Sequence, residues 1–152
     1  MTPDRTAAAE AVVAALGEQR RLPLDPGNPG GVQMATLWGD PARGPFGALL
    51  KVPAGFVSPM HRHANDERVV VLPGASVHWT RGGSRETAPR MTTGDALLMP
   101  AGVDHVSAAT DDEDCLEFIT MAGRFDFELA EIPQRPLRGR LRRRQATSQL
   151  RG

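Results

Sequence analysis

The chain has no tyrosine, and aromatic residues make up only 5% of its 152 residues. Scarce aromatic side chains argue against a nucleic-acid binder that stacks bases on exposed rings. No stretch of about 18 apolar residues occurs, so the sequence predicts no membrane-spanning helix. The single cysteine, Cys115, rules out a disulfide within the chain and favours a reducing compartment.

The N-terminus also lacks the features of a secretory signal. Such a signal needs a basic start followed by an uninterrupted apolar run. Here Asp4 offsets the charge of Arg5, and Glu10 interrupts the stretch that would have to be apolar. Together with the single cysteine, this pattern predicts a cytoplasmic protein.

The formal net charge is zero, but the charges are unevenly distributed. Seven of the 18 basic residues follow Gln134, and no acidic residue follows Glu131. The rest of the chain therefore keeps 11 basic against 18 acidic residues, a net charge of −7. We interpret residues 132–152 as an Arg-rich tail that neutralises the acidic body or contacts another subunit. Nucleic acid is not the expected partner, although binding to an anionic polymer stays open as an alternative.

Residues 1–31 are predicted to form a short helix followed by a loop. Thr6 can cap an Ala-rich helix that extends to Leu22. Pro23 ends this helix, because proline lacks the amide proton that a helix interior needs. The proline- and glycine-rich residues 26–31 then predict a loop.

Residues 32–131 carry the pattern of a β-domain. The 16 glycines and 13 prolines of the chain are typical of a fold with many turns. Short apolar runs separated by turn residues recur about every ten residues, which predicts an all-β sandwich or barrel. The predicted strands are Val32–Trp38, Phe46–Val52, Arg68–Leu72, Ser76–Thr80, Ala96–Met99, Val106–Ala109, Cys115–Met121 and Phe125–Leu129.

A cluster of histidines and one glutamate gives the chemical signal. His61 and His63 are two residues apart, so a strand would place both imidazoles on one face, close enough to share a metal ion. The polar residues that follow predict a bend that returns Glu67 towards the pair. Imidazole nitrogen and carboxylate oxygen suit Zn, Fe, Mn, Ni or Cu. A further ligand has to come from elsewhere, and His105 follows a tight turn at the start of a later strand.

The spacing of these residues resembles the cupin superfamily. The first cupin motif is filled by Gly55, His61, His63, Glu67 and Gly74. The second is filled by Gly94, Pro100, Gly102 and His105, with Ala109 where the family has asparagine. That asparagine is not a metal ligand, so Ala109 bears on strand pairing and not on the metal. From the composition, the first motif is expected by chance about 5 × 10⁻⁵ times in such a chain.

The resemblance implies a cupin-type antiparallel β-barrel, the double-stranded β-helix, over residues 32–131. It also implies one divalent transition metal (Fe, Zn, Mn or Ni), with water, O₂ or a substrate oxygen in the positions left open. Because cupins are commonly dimers, a homodimer is expected. Residues 38–55 also look like small bacterial cupins related to zinc-binding anti-sigma domains and diketone-cleaving dioxygenases. The implied metal ligands are His61, His63, Glu67 and His105.

The sequence leaves the roles of two further residues, His78 and Glu117, open. His78 is a candidate catalytic residue that would face the pocket as a proton shuttle. The more common alternative is an exposed or hydrogen-bonded structural histidine. Glu117 is interpreted as an outward-facing charge on its strand, and the alternative is a carboxylate close to the metal site.

Three classes of function follow. The leading one, ranked on family resemblance, is a metal-dependent dioxygenase acting on a small carbonyl or enol-type molecule, with the metal as Lewis acid. A non-redox isomerase or polyketide-type cyclase is the second, in which Glu67 takes a proton. The third is a non-catalytic protein. It would be either a metal- or ligand-binding sensor, for which residues 1–31 offer only one short helix as an output module, or a structural or storage barrel, which would not need an inward-facing metal site.

Overall fold

In its described part, the N-terminal segment does not form the predicted α-helix. The computed structural model describes residue 11 and residues 13–131, so the Arg-rich tail at 132–152 lies outside the described residues. The predicted helix from Thr6 to Leu22 is wrong in its described part, which contains only a 3-10 turn at Leu16–Glu18. Val13 and Leu16, which would belong to the apolar stripe of this helix, are 86% and 53% exposed, so they are not packed against the barrel. A short helix without a packed face is marginal in water.

The described chain is otherwise almost entirely β-structure, which confirms the all-β prediction. Eleven strands follow one another along these residues. They are β1 (Leu22–Pro23), β2 (Gln33–Gly39), β3 (Phe46–Val52), β4 (His61–Arg62), β5 (Glu67–Val71), β6 (Ala75–Thr80), β7 (Arg90–Thr92), β8 (Ala96–Met99), β9 (His105–Ala109), β10 (Cys115–Met121) and β11 (Glu128–Leu129).

The strands form two antiparallel sheets. One has six strands in the order β1-β2-β3-β10-β5-β8, and the other has five in the order β11-β4-β9-β6-β7. Strands distant in sequence are neighbours in both sheets, as when β10 pairs with β3 on one side and β5 on the other. This interleaving is the arrangement of a double-stranded barrel, so the predicted architecture is confirmed.

The core lies between the two sheets. Phe46, Ile119, Val69 and Val71 are among its most deeply buried side chains. Cys115 belongs to the same cluster, and burial raises the pKa of its thiol to about 12. A thiol held protonated is a poor nucleophile, so Cys115 acts as a small apolar residue.

Three strands were missed, and each is short or polar. β1 is an edge strand next to β2, β4 has only two residues, and β7 (Arg-Met-Thr) has one buried residue between two exposed ones. Such segments carry too few apolar residues for an alternating pattern. Within the described residues, no helix has the length and apolar character that crossing a membrane requires.

Candidate metal centre

The strand register brings the histidines together. His61 on β4 lies directly opposite His105 on β9. His63 follows β4, with its imidazole centroid 4.9 Å from that of His61. Glu67 begins β5 in the other sheet. The four side chains, all buried, therefore converge from both sheets on the inside of the barrel.

Three imidazoles form a compact cluster. One ring nitrogen from each of His61, His63 and His105 lies within 4.8 Å of the other two. A common centre is then within about 3 Å of each nitrogen, against metal–nitrogen bonds of about 2.0–2.1 Å. Small inward adjustments of the rings would bring all three nitrogens to one ion.

Hydrogen bonds hold each imidazole in the tautomer that a metal needs. In all three rings Nδ1 donates to a backbone carbonyl, which cannot itself donate. The Nε2 atoms are therefore left unprotonated and free to coordinate. The three bonds run from His61 to Pro59 (2.9 Å), from His63 to Asp126 (2.5 Å) and from His105 to Val103 (2.9 Å).

A buried nitrogen without a hydrogen-bond partner indicates whether a metal ion fits this site. Nε2 of His105 is completely buried and has no hydrogen-bond partner among the described residues. Oε2 of Glu67 lies 4.0 Å from this nitrogen and 3.8 Å from Nε2 of His63, too far for hydrogen bonds. Buried polar atoms without partners are costly. A cation between these atoms would satisfy them, so the donor set fits a divalent transition metal.

Burial sets the ionisation of the site. It lowers the pKa of His61 to about 4, against the raising effect of its bond to Pro59, and it lowers the pKa of His105 as well. Burial also raises the pKa of Glu67. At neutral pH His61 and His105 are therefore uncharged, the form in which imidazole binds metals.

His61, His63 and Glu67 line a small cavity that opens through an apolar mouth. The inner cavity has a volume of about 80 Å³ and continues into an outer pocket of about 360 Å³. The walls shared by the two are entirely apolar, so the site can admit a small organic molecule. These shared residues are Leu24, Val32, Phe56, Phe125 and Phe127.

His78 and Glu117 line the same inner cavity. The interpretation of Glu117 as an outward-facing charge is wrong, since the residue is only 4% exposed. Its strand β10 turns Cys115, Glu117 and Ile119 inwards. His78 lines the cavity and is also hydrogen-bonded to Ser107. The sequence had left a cavity-facing residue and a hydrogen-bonded one as alternatives, and His78 is both.

Sequence reasoning missed the supporting groups around the cluster. Oγ of Ser58 lies 3.3 Å from Nδ1 of His61 and accepts the backbone N–H of Ser107. The Asp126 carbonyl holds His63 from the segment after β10. Such contacts join residues far apart in the chain, and no local sequence pattern indicates them.

Ala109 stands where the second cupin motif has asparagine. It pairs with Ser76 in the ladder between β6 and β9, so strand pairing is intact there.

The family model described as "Cupin domain" matches residues 48–121, the segment that carries both histidine motifs. No curated protein is significantly similar to this chain in sequence.

Solved structures share the barrel. An RmlC-like cupin protein from Ralstonia eutropha is 21% identical, with a TM-score of 0.61 over 78% of this chain and 79% of the other. A chain of the complex of Rhodobacter sphaeroides SigE with the anti-sigma ChrR is 27% identical, with a TM-score of 0.54 over 70% of this chain and 50% of the other. The DMSP lyase DddQ from Ruegeria pomeroyi is 20% identical, with a TM-score of 0.56 over 77% of this chain and 59% of the other.

This chain thus spans about half the length of the chain from the anti-sigma complex, and a little more of the lyase. The Cupin-domain match over both histidine motifs, together with the barrel topology and the cluster of three histidines, shows that the chain belongs to the cupin superfamily.

Proposed function

We propose that this chain is a metal-dependent enzyme acting on a small carbonyl or enol-type molecule, with a dioxygenase reaction as the leading assignment. One observation carries the proposal: three imidazoles with free Nε2 atoms and the Glu67 carboxylate meet beside a cavity with an apolar mouth. A structural metal site is closed by its protein ligands, whereas this one adjoins space for a substrate.

The proposed ligands are His61, His63, His105 and Glu67, and the ion would be Fe, Zn, Mn or Ni. A metal bound there would act as a Lewis acid on a substrate oxygen and, if redox-active, would support chemistry with O₂. Burial raises the pKa of Glu67, which moves this carboxyl towards the range of a general base. In that role Glu67 would leave the metal and take a proton from the carbon next to the substrate carbonyl.

His78 is the second proposed catalytic residue. Its imidazole lies between the hydroxyl of Ser107, 3.0 Å from Nδ1, and the carboxylate of Glu117, 3.4 Å from Nε2. An imidazole with an oxygen at each nitrogen can receive a proton on one side and release one on the other. The apolar rings of Phe125 and Phe127 at the mouth would limit the entry of water.

Metal identity and oxygen consumption test the dioxygenase assignment. The full chain is purified without a His-tag and its metal content is measured, then it is loaded with Fe(II) under anaerobic conditions. Oxygen uptake is recorded against 1,3-diketones, catechols and flavonols. We expect uptake that matches substrate loss and that His105→Ala abolishes. Zinc as the native metal and no uptake with any substrate would overturn the dioxygenase assignment.

The non-redox alternative uses the same residues. An isomerase or polyketide-type cyclase needs the Lewis acid and the base but no O₂. Exchange of the substrate's α-proton with deuterated solvent, seen with a Zn- or Mn-loaded protein and lost in Glu67→Gln, would favour this alternative.

A sensor is the second candidate, and the 27% identity to a chain of the SigE–ChrR complex favours it. A sensor would bind a metal or ligand without turning it over. Stoichiometric metal binding combined with no turnover of any substrate in the panel would support it over an enzyme.

The proposed organisation is a barrel over residues 32–131, an N-terminal segment over 1–31 and an Arg-rich tail over 132–152. We also propose a cytoplasmic homodimer. Light scattering of the full chain tests the dimer, and a monomer at high concentration would contradict it.

A further inference from the structure

A second polar group lies in the cavity besides the histidine cluster. His78 comes from β6 in the five-stranded sheet and Glu117 from β10 in the six-stranded sheet, so the two meet across the interior. Their side chains are 3% and 5% exposed, with Nε2 of His78 3.4 Å from Oε1 of Glu117. Both line the cavity that also contains His61 and His63. Two polar groups, His78 with Glu117 and His61 with His63 and Glu67, therefore line one small volume, and each is called here a polar end of the cavity.

The imidazole of His78 is held firmly. The hydroxyl of Ser107 lies 3.0 Å from Nδ1, and the hydroxyl of Ser76 lies 3.3 Å from Nε2. Contacts on both nitrogens fix the plane of the ring without any ligand present. The end formed by His78 is thus built in advance, which lowers the entropic cost of binding a ligand there.

The carboxylate of Glu117 has far more acceptor capacity than the protein uses. A carboxylate offers about four lone-pair positions. Among the described residues its hydrogen bonding consists of the single long contact from His78 at 3.4 Å. Burying a carboxylate with so few partners is costly, and an apolar residue in this row between Cys115 and Ile119 would stabilise the barrel. The free acceptor positions of Glu117 are therefore available to a ligand.

The charged residues around the inner cavity limit the kind of ligand that can bind there. The described residues that line the inner cavity include two carboxylates, Glu67 and Glu117, but no lysine or arginine. A ligand with a carboxylate or phosphate at this end would face Glu117 with no cation beside it. A ligand with a hydroxyl group would instead donate to the oxygens of Glu117.

We propose that Glu117, His78 and Ser107 form an acceptor subsite that binds the hydroxyl group of a small uncharged hydroxycarbonyl compound. The inference rests on the proposed function, because the carbonyl end of the same compound would lie at the histidine cluster. The inner volume of about 80 Å³ limits the compound to a few non-hydrogen atoms beyond the metal-binding group. The subsite thus selects neutral donors and rejects acids.

Hydroxamate probes on the Co(II)-loaded full chain test this subsite, because hydroxamates bind metals and change the Co(II) absorption spectrum. The series holds acetohydroxamate as the reference, 2-hydroxyaceto- and 3-hydroxypropanohydroxamate as the donors, and the malonic and succinic monohydroxamates as the acids. We expect at least one donor probe to bind about ten- to hundredfold more tightly than acetohydroxamate, as for a hydrogen bond to a charged group. Both acids should bind more weakly than acetohydroxamate.

Substitutions test whether the subsite causes the preference for donor probes over acetohydroxamate. Glu117→Met keeps the side-chain length without its oxygens. In this variant the donor probes should bind about as tightly as acetohydroxamate, and the affinity for acetohydroxamate itself should not change. Glu113→Gln, on the exposed loop before β10, is the matched control and should keep the full preference. His78→Gln provides a second variant should Glu117→Met fold poorly, and it should reduce the preference at least about threefold.

The outcomes separate the two proposals. If the chain takes up no metal, the proposed function and the subsite both fail. If metal and acetohydroxamate bind but no donor probe binds more tightly, only the subsite is overturned. A donor preference that survives in Glu117→Met would likewise overturn the subsite and leave the metal centre standing.

Discussion

The ring of Phe127 stacks on the imidazole of His61, with centroids 4.1 Å apart and planes inclined by 16°. Phe127 is 46% exposed, so it covers the histidine cluster from the solvent side. His61 is held on its other edge by the Pro59 carbonyl. The aromatic face and the hydrogen bond together fix the direction of the Nε2 lone pair, which is what a metal ligand needs.

Replacing Phe127 with alanine should therefore weaken metal binding without removing a ligand. We expect an affinity loss of about tenfold, since partners that orient ligands typically contribute that much or more. Competition with a chromophoric chelator measures it. Leu129→Ala is the control, because it removes an exposed side chain from the same segment and should leave the affinity unchanged.

Single replacement of His61, His63 or His105 by alanine should lower the bound metal by more than about tenfold, because each supplies one Nε2 to the cluster. Elemental analysis of the purified variants measures the loss. His78→Gln is the matched control, since it changes a histidine of the same cavity that lies outside the cluster, and its metal content should stay at the wild-type value. A variant of the three that keeps full stoichiometry would exclude that residue as a ligand.

The stability of the metal-free protein should depend on pH through His61. Burial lowers its pKa in the folded state to about 4, whereas an exposed histidine titrates near 6.5. Between these values the unfolded chain binds a proton that the folded chain does not, so stability falls as pH falls. Above about pH 6.5 both states are uncharged and the contribution is fully retained.

His61→Gln isolates this effect. Relative to the variant, the wild type should lose about 2–3 kcal/mol between pH 7 and pH 4. Urea unfolding in the presence of a chelator at several pH values measures the difference. A difference that stays constant with pH would show that the proton affinity of His61 does not change on folding.

Two glycines of the cupin motifs should respond differently to alanine. Gly74 has φ +104°, and a Cβ there would collide with the backbone of Asp114 and Cys115. Gly94 has φ +92°, but a Cβ there would meet open space. We expect Gly94→Ala to cost about 1 kcal/mol from backbone strain alone, and Gly74→Ala clearly more. Equal losses in urea unfolding would contradict the role of the collision at Gly74.

The N-terminal prediction failed for a reason that the sequence does not contain. Propensity and a local apolar stripe favoured a helix up to Leu22. Instead, Leu22 and Pro23 pair with β2, and Leu24 contributes to the mouth of the cavity. Contacts with the barrel outweighed a local preference worth only a fraction of a kcal/mol per residue.

Glu117 shows the limit of alternation within a strand. β10 has apolar residues on both faces, with Leu116 and Phe118 on one and Ile119 on the other. Period-two reasoning places Glu117 on the same face as Ile119, but it cannot say which face is inside. The register with β3 and β5 decided that, because it turns the Ile119 face into the barrel.

The sequence by itself determined the β-rich pattern and the spacing of the histidine motifs, since residue order and turn residues are local properties. Only the tertiary structure decided that His105 lies opposite His61, that Phe127 stacks on His61 and that His78 meets Glu117 from the other sheet. Each of these pairs joins segments distant in the chain, and the free energy that selects them comes from packing the two sheets together.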